Sequence, residues 1–146
     1  MTHPIAEDRR ISTGIEGLDD ILGGGFTPNC LYLVEGDPGS GKTTLGLQFL
    51  LEGVRQKETV LYVTLSETRE ELRKVMQSHG WSADGLNIFE LIPSEEALRS
   101  EAQYKMFHPS EIELSETTRR ILDEVEKLRP SRVVFDSLSE MRLLAQ

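Results

Sequence analysis

A chain of 146 residues with 38% hydrophobic and 28% charged side chains has room for one domain with a real core, and its composition excludes a disordered or fibrous class. Sixteen basic side chains stand against 25 acidic ones, a net charge of -9 that is repelled by nucleic-acid backbone and anionic lipid. Arg9-Arg10, Arg119-Arg120 and Arg129 with Arg132 are short basic pairs flanked by acids, so no stripe offsets that repulsion and nucleic acid is not an expected partner. The first ten residues, MTHPIAEDRR, lack the apolar run of a secretory leader, and no stretch approaches the length of a membrane span. A cytoplasmic protein is expected. The lone Cys30 has no partner for an internal disulfide, and its apolar neighbours predict a buried, inert thiol.

In chain order, Cys30–Glu35 (CLYLVE) reads as a buried strand that feeds a glycine-rich loop. Thr44–Gln56 follows with Leu45, Phe49, Leu50 and Val54 at helical spacing. Thr59–Leu65 (TVLYVTL) is a second strand, and Thr68 with Glu71 forms a capping-box pair opening a helix around Leu72, Val75 and Met76, closed by Gly80. Trp81 after that stop is a packing anchor. Asn87–Ile92 is a short third strand. Between Pro93 and Pro109 the pattern is open: Ser94 is a possible cap of a short helix, while Pro109 and the polar content favour a loop. Ser115 is the expected cap of a helix with Thr118, Ile121, Leu122, Val125 and Leu128 on one face, stopped by Pro130. Arg132–Leu138 (RVVFDSL) is a fourth strand. Apolar strands alternating with helices predict an α/β fold with a mainly parallel sheet covered on both faces.

The stretch GDPGSGKT fits G-x-x-x-x-G-K-[ST], and it sits between a predicted strand and a predicted helix, as its chemistry requires. Gly36, Asp37, Pro38, Gly39, Ser40, Gly41, Lys42, Thr43 and Thr44 are the expected nucleotide-phosphate cradle. Glycines let the backbone close around phosphate oxygens, and the helix N-terminus adds partial positive charge. Lys42 is expected on the β- and γ-phosphates, and the Thr43 hydroxyl on Mg²⁺. Val133-Val134-Phe135-Asp136 is an apolar strand ending in a carboxylate, the Walker B pattern, so Asp136 is the expected second metal residue. A carboxylate that activates water belongs at the end of a strand beside the loop; Glu67, after the second strand, is the candidate base, although an acid in a helix's first turn also favours the helix dipole. Ser137 and Ser139 read as turn or cap residues before phosphorylation sites. His3, His79 and His108 have no metal-ligand spacing, and no N-K-x-D guanine-reading motif occurs.

With these residues in place, the chain resembles the KaiC-like branch of the RecA superfamily of ATPases. The resemblance rests on STGIEGLD (Ser12 to Asp19), LGGGF (Leu22 to Phe26), the phosphate loop, QFL (Gln48 to Leu50), YVTLSET (Tyr62 to Thr68) and FDSL (Phe135 to Leu138). It implies a RecA-like core, ATP and Mg²⁺ as ligands, slow hydrolysis at subunit interfaces of a homo-oligomer (usually a hexameric ring), possible protein partners and, in some members, Ser/Thr autophosphorylation. Lys42, Thr43 and Asp136 match the family pattern. Relatives typically end the second strand with two adjacent glutamates, the first often taken as the base; here those positions are Ser66 and Glu67. The fold normally continues beyond the Walker B strand with basic finger residues and adenine contacts, so the chain reads as a fragment with four strands and an uncovered sheet edge. A recombinase-like DNA-binding fragment and a non-hydrolysing nucleotide switch are the alternative readings.

Overall fold

The computed structural model describes residues 9–91 and 109–144, with backbone only at 109–113 and 143–144. Among the described residues eight elements follow one another: α1 (Glu16–Ile21), α2 (Lys42–Arg55), β1 (Val60–Thr64), α3 (Arg69–Ser78), β2 (Leu86–Glu90), α4 (Pro109–Leu128), β3 (Arg132–Asp136) and α5 (Leu138–Leu144). The three strands form a parallel sheet in the order β2-β1-β3. Thr64 pairs with Glu90 on one side and Asp136 on the other, so the carboxyl ends of all three strands finish level.

The alternation of β1 sorts its side chains onto two faces. Val60 and Tyr62 pack with Leu47 and Leu50 of α2 and Leu72 and Met76 of α3. Leu61 and Val63 face the other way, against Ile121, Val125 and Leu128 of α4. Every β1 residue is buried, as expected for the central strand of a sheet covered by helices on both sides. α2 lies close on the sheet because Gly46 and Gly53 present no side chain there. A Cβ on Gly53 would stand 2.8 Å from both Val60 Cγ1 and Arg132 Cδ.

α3 has the predicted capping box, with Thr68 and Glu71 each serving the other's backbone N–H. It ends in a Schellman motif: Gly80 N–H donates to Gln77 and Trp81 N–H to Met76, with Gly80 at φ +72. Trp81 packs half-buried against the α2–α3 core and stacks on His79, the anchoring expected of it.

Five expectations are corrected. Residues Cys30–Glu35 form no strand; Leu31 is 98% and Leu33 67% exposed, and the sheet has three strands among the described residues. An apolar run becomes a strand only when a neighbouring edge takes its hydrogen bonds, and this run pairs with none. Cys30, carried on that run, is exposed rather than buried. Ser115 lies inside α4, which opens at Pro109, a favoured first helical residue because it has no N–H to leave unpaired. On that helix Leu122 is 57% exposed and Thr118 is exposed, so the buried face is narrower than predicted. β3 stops at Asp136 and Leu138 opens α5, with the Ser137 hydroxyl donating to Glu140 in a cap-like contact. Ser94 lies outside the described residues.

Candidate nucleotide site

The phosphate loop hands over to α2 at Gly41, which takes φ +95, a conformation open to glycine without strain. Lys42 Nζ donates to the carbonyls of Gly36 (2.6 Å) and Asp37 (3.0 Å), so the lysine folds over its own loop. The loop itself, Gly36 to Gly41, is exposed. One residue into the helix, Thr43 turns toward the sheet. Its hydroxyl donates to Asp136 Oδ2 at 3.0 Å, joining two residues 93 positions apart. The end of β3 therefore meets the start of α2, as the two motifs require.

The same Asp136 oxygen accepts a second hydroxyl, from Tyr62, at 2.6 Å. Burial, reinforced by the hydrogen bond to Asp136, holds the Tyr62 hydroxyl well above the ordinary phenol range, so it remains a donor. Glu67 completes the cluster. Past the end of β1, its backbone N–H donates to Thr64 Oγ1 (3.0 Å), and its carbonyl accepts from that hydroxyl (2.8 Å), which turns the chain back toward the site. Glu67 Oε2 is buried with no hydrogen-bond partner among the described residues. Burial first, then the nearby carboxylates of Asp136 and Glu71, raise its carboxyl above the usual range. Ser66 is exposed.

Lys42, Thr43, Asp136 and Glu67 thus all lie at one end of the molecule, where the sheet's carboxyl ends meet the phosphate loop. Tyr62 is the residue that motif reading missed. Its signal was a phenol inside an otherwise apolar strand, since a buried tyrosine hydroxyl must find a partner.

The chemistry of this donor set suits a hard divalent cation: a hydroxyl and a carboxylate oxygen face each other, with a second, unpartnered carboxylate oxygen close by. A parallel α/β sheet with a glycine-rich phosphate loop leading into a helix at its carboxyl end, facing an aspartate at the end of β3, defines a P-loop nucleotide-binding fold. A family model described as "ATPase: KaiC" matches residues 11–146, and the chain belongs to that family. It is 33% identical over 136 residues to Circadian clock oscillator protein KaiC 1 of Synechocystis, an alignment covering 93% of this chain and 24% of that protein. A UPF0273 protein of Pyrococcus horikoshii is 29% identical over 138 residues, 91% of this chain and 56% of its own. A UPF0273 protein of Thermotoga maritima is 40% identical over 76 residues, 52% of this chain and 31% of its own. The chain thus spans well under two thirds of these relatives. No described helix is long and apolar enough to cross a membrane.

Proposed function

We propose that this chain binds ATP with Mg²⁺ and hydrolyses it slowly, as the nucleotide-binding part of an ATPase whose full-length form couples nucleotide state to changes in a homo-oligomer or its partners. The observation that carries the reading is the meeting of Thr43 and Asp136 at 3.0 Å, because it joins the phosphate loop to the strand-end carboxylate.

In this reading the backbone of Gly36, Asp37, Pro38, Gly39, Ser40 and Gly41, together with the first turn of α2 at Thr44, cradles the phosphates. Lys42 leaves the Gly36 and Asp37 carbonyls and takes the phosphate oxygens instead. Thr43 and Asp136 would hold the cation, and Mg²⁺, when bound, would neutralise charge developing on the phosphoryl oxygens. Glu67 orients the attacking water and accepts its proton. A raised carboxyl suits that role, since a base works best when its proton affinity approaches the working pH.

The test is phosphate release from Mg-ATP by the unaltered chain, by Glu67→Gln and by Lys42→Ala. The glutamine variant should bind ATP and lose release by about 10²–10⁴-fold, a general base's usual share. Lys42→Ala should lose binding as well. Binding without release in the unaltered chain would leave the nucleotide switch, consistent with the exposed Ser66 where the family resemblance leads one to expect a first acid. Absence of ATP binding would sink both.

A further inference from the structure

We propose that the Tyr62 hydroxyl is a positioning group for Asp136, setting how tightly the site takes a divalent cation beside nucleotide phosphate. The proposal rests on the ATP and Mg²⁺ reading above and goes beyond it by adding a residue that no phosphate-binding motif contains.

Tyr62 sits at the middle of β1 with no exposed surface, its ring in the core formed with Leu47, Leu50 and Leu72. In register it stands opposite Val134, and Asp136 lies two residues further along the same face of β3. A diagonal neighbour in a sheet is within reach of a long aromatic side chain, and Tyr62 spans that gap to place its hydroxyl 2.6 Å from Asp136 Oδ2. Thr43 donates to the same oxygen at 3.0 Å, so both hydroxyls hold Oδ2 and neither holds Oδ1. The two clamps differ in kind. Thr43 rides on the helix behind the phosphate loop, where ligand binding acts, whereas Tyr62 is fixed in the central strand with every neighbouring β1 residue buried. Asp136 therefore keeps one hydrogen bond independent of the loop, and its carboxylate is oriented before any cation arrives. Partners of this kind commonly account for 10–100-fold in metal affinity.

Tyr62→Phe keeps the ring in the core and removes only the donor. The measurement is Mg²⁺ titration of a fluorescent ATP analogue bound to the intact chain, with thermal unfolding followed in parallel. The concentration of Mg²⁺ at half-saturation should rise about tenfold in the variant, while nucleotide binding in EDTA stays unchanged. A natural chain that responds to Mg²⁺ beside a variant with an unshifted or lower half-saturation overturns this proposal alone. A natural chain indifferent to Mg²⁺ overturns the cation reading and this proposal together. Carbon-13 labelling of tyrosine in the unaltered chain reads the contact without a substitution. The Tyr62 Cζ resonance should move when Mg²⁺ is added to the nucleotide complex, and a resonance that stays in place overturns the proposal even if Tyr62→Phe does not fold.

Discussion

The two ends of β3 hold charge in opposite ways. At the start, Arg132 is 3% exposed, yet its guanidinium is met by opposite charge and by carbonyls. Nε donates to Glu58 at 2.5 Å, and Nη1 donates to the carbonyls of Ser12 (2.6 Å) and Phe49 (3.0 Å). The guanidinium also lies over the Phe49 ring at 4.8 Å. Only Nη2 lacks a partner among the described residues. At the other end, four residues on, Asp136 lies near a second carboxylate, Glu67, and like charge raises the latter's carboxyl in addition to burial. One end uses its charge to tie the N-terminal segment, α2 and β3 together. The other leaves negative charge in surplus where the phosphate loop arrives. The difference teaches which polar groups hold the fold and which are kept for something the chain does not itself supply.

The comparison breaks most forcefully at Arg132. Arg132→Met keeps the stem that packs beside Gly53 and removes the charge, leaving Glu58 without its pair and two carbonyls without a donor. A loss of about 3 kcal/mol is expected, in the range found when one partner of a buried ion pair is deleted. Urea unfolding checks it: the midpoint should fall with an unchanged slope.

A smaller loss should follow one step further out in the same network. Ser12, whose carbonyl accepts from Arg132, donates its own hydroxyl to Asp19 Oδ2 at 2.6 Å, and Thr13 donates to Oδ1 through both its N–H (2.8 Å) and its hydroxyl (2.6 Å). Burial pushes the Asp19 carboxyl up, but the hydrogen bonds from Ser12, Thr13 and the Gly14 backbone together outweigh it and hold the group below its ordinary value. Asp19→Asn should cost about 1–2 kcal/mol at neutral pH by weakening these charge-assisted bonds. A lowered carboxyl contributes stability above its unfolded value, about 3.9, and loses it as pH falls through the folded value. The gap between the unaltered chain and the asparagine variant in urea should therefore be full at pH 7 and narrow as the pH falls below about 4.

How legible each end was in the sequence follows from how local its determinants are. The phosphate loop, the α3 cap, β1 and Asp136 were all readable, because a motif or a short periodicity specifies each within a few residues. The meeting of Thr43 with Asp136 followed from two such motifs at a known place in a parallel sheet. Arg132 was read as a weak basic pair with Arg129, and Tyr62 only as one position of the strand Thr59–Leu65, since their partners lie 74 or more residues away and only the folded sheet brings them together. The Cys30–Glu35 run fails for the same reason in reverse. Its composition asks for burial, but burial of a strand depends on an edge elsewhere in the chain, and local sequence carries no record of whether that edge is taken.

The smallest expected effect tests the comparison most sharply, because its sign is opposite to the others. Burial, then Asp136, then Glu71 raise the Glu67 carboxyl, so the folded chain binds this proton more tightly than the unfolded one does. Stability from such a group is complete below the unfolded value, about 4.3, and is lost as pH rises through the folded value. At neutral pH ionised Glu67 therefore opposes folding, and Glu67→Gln should stabilise the chain, by only about 0.5 kcal/mol because the carboxyl is half-buried and solvent still screens part of it. The urea midpoint of the glutamine variant should lie above that of the unaltered chain at pH 7 and meet it near pH 4. A variant less stable at neutral pH would make Glu67 a carboxylate that holds the fold, as Asp19 does, and the contrast between the two ends of β3 would fail. A variant that gains stability while losing phosphate release would tie the strain to the activity, since the group that opposes folding would be the same one that activates water.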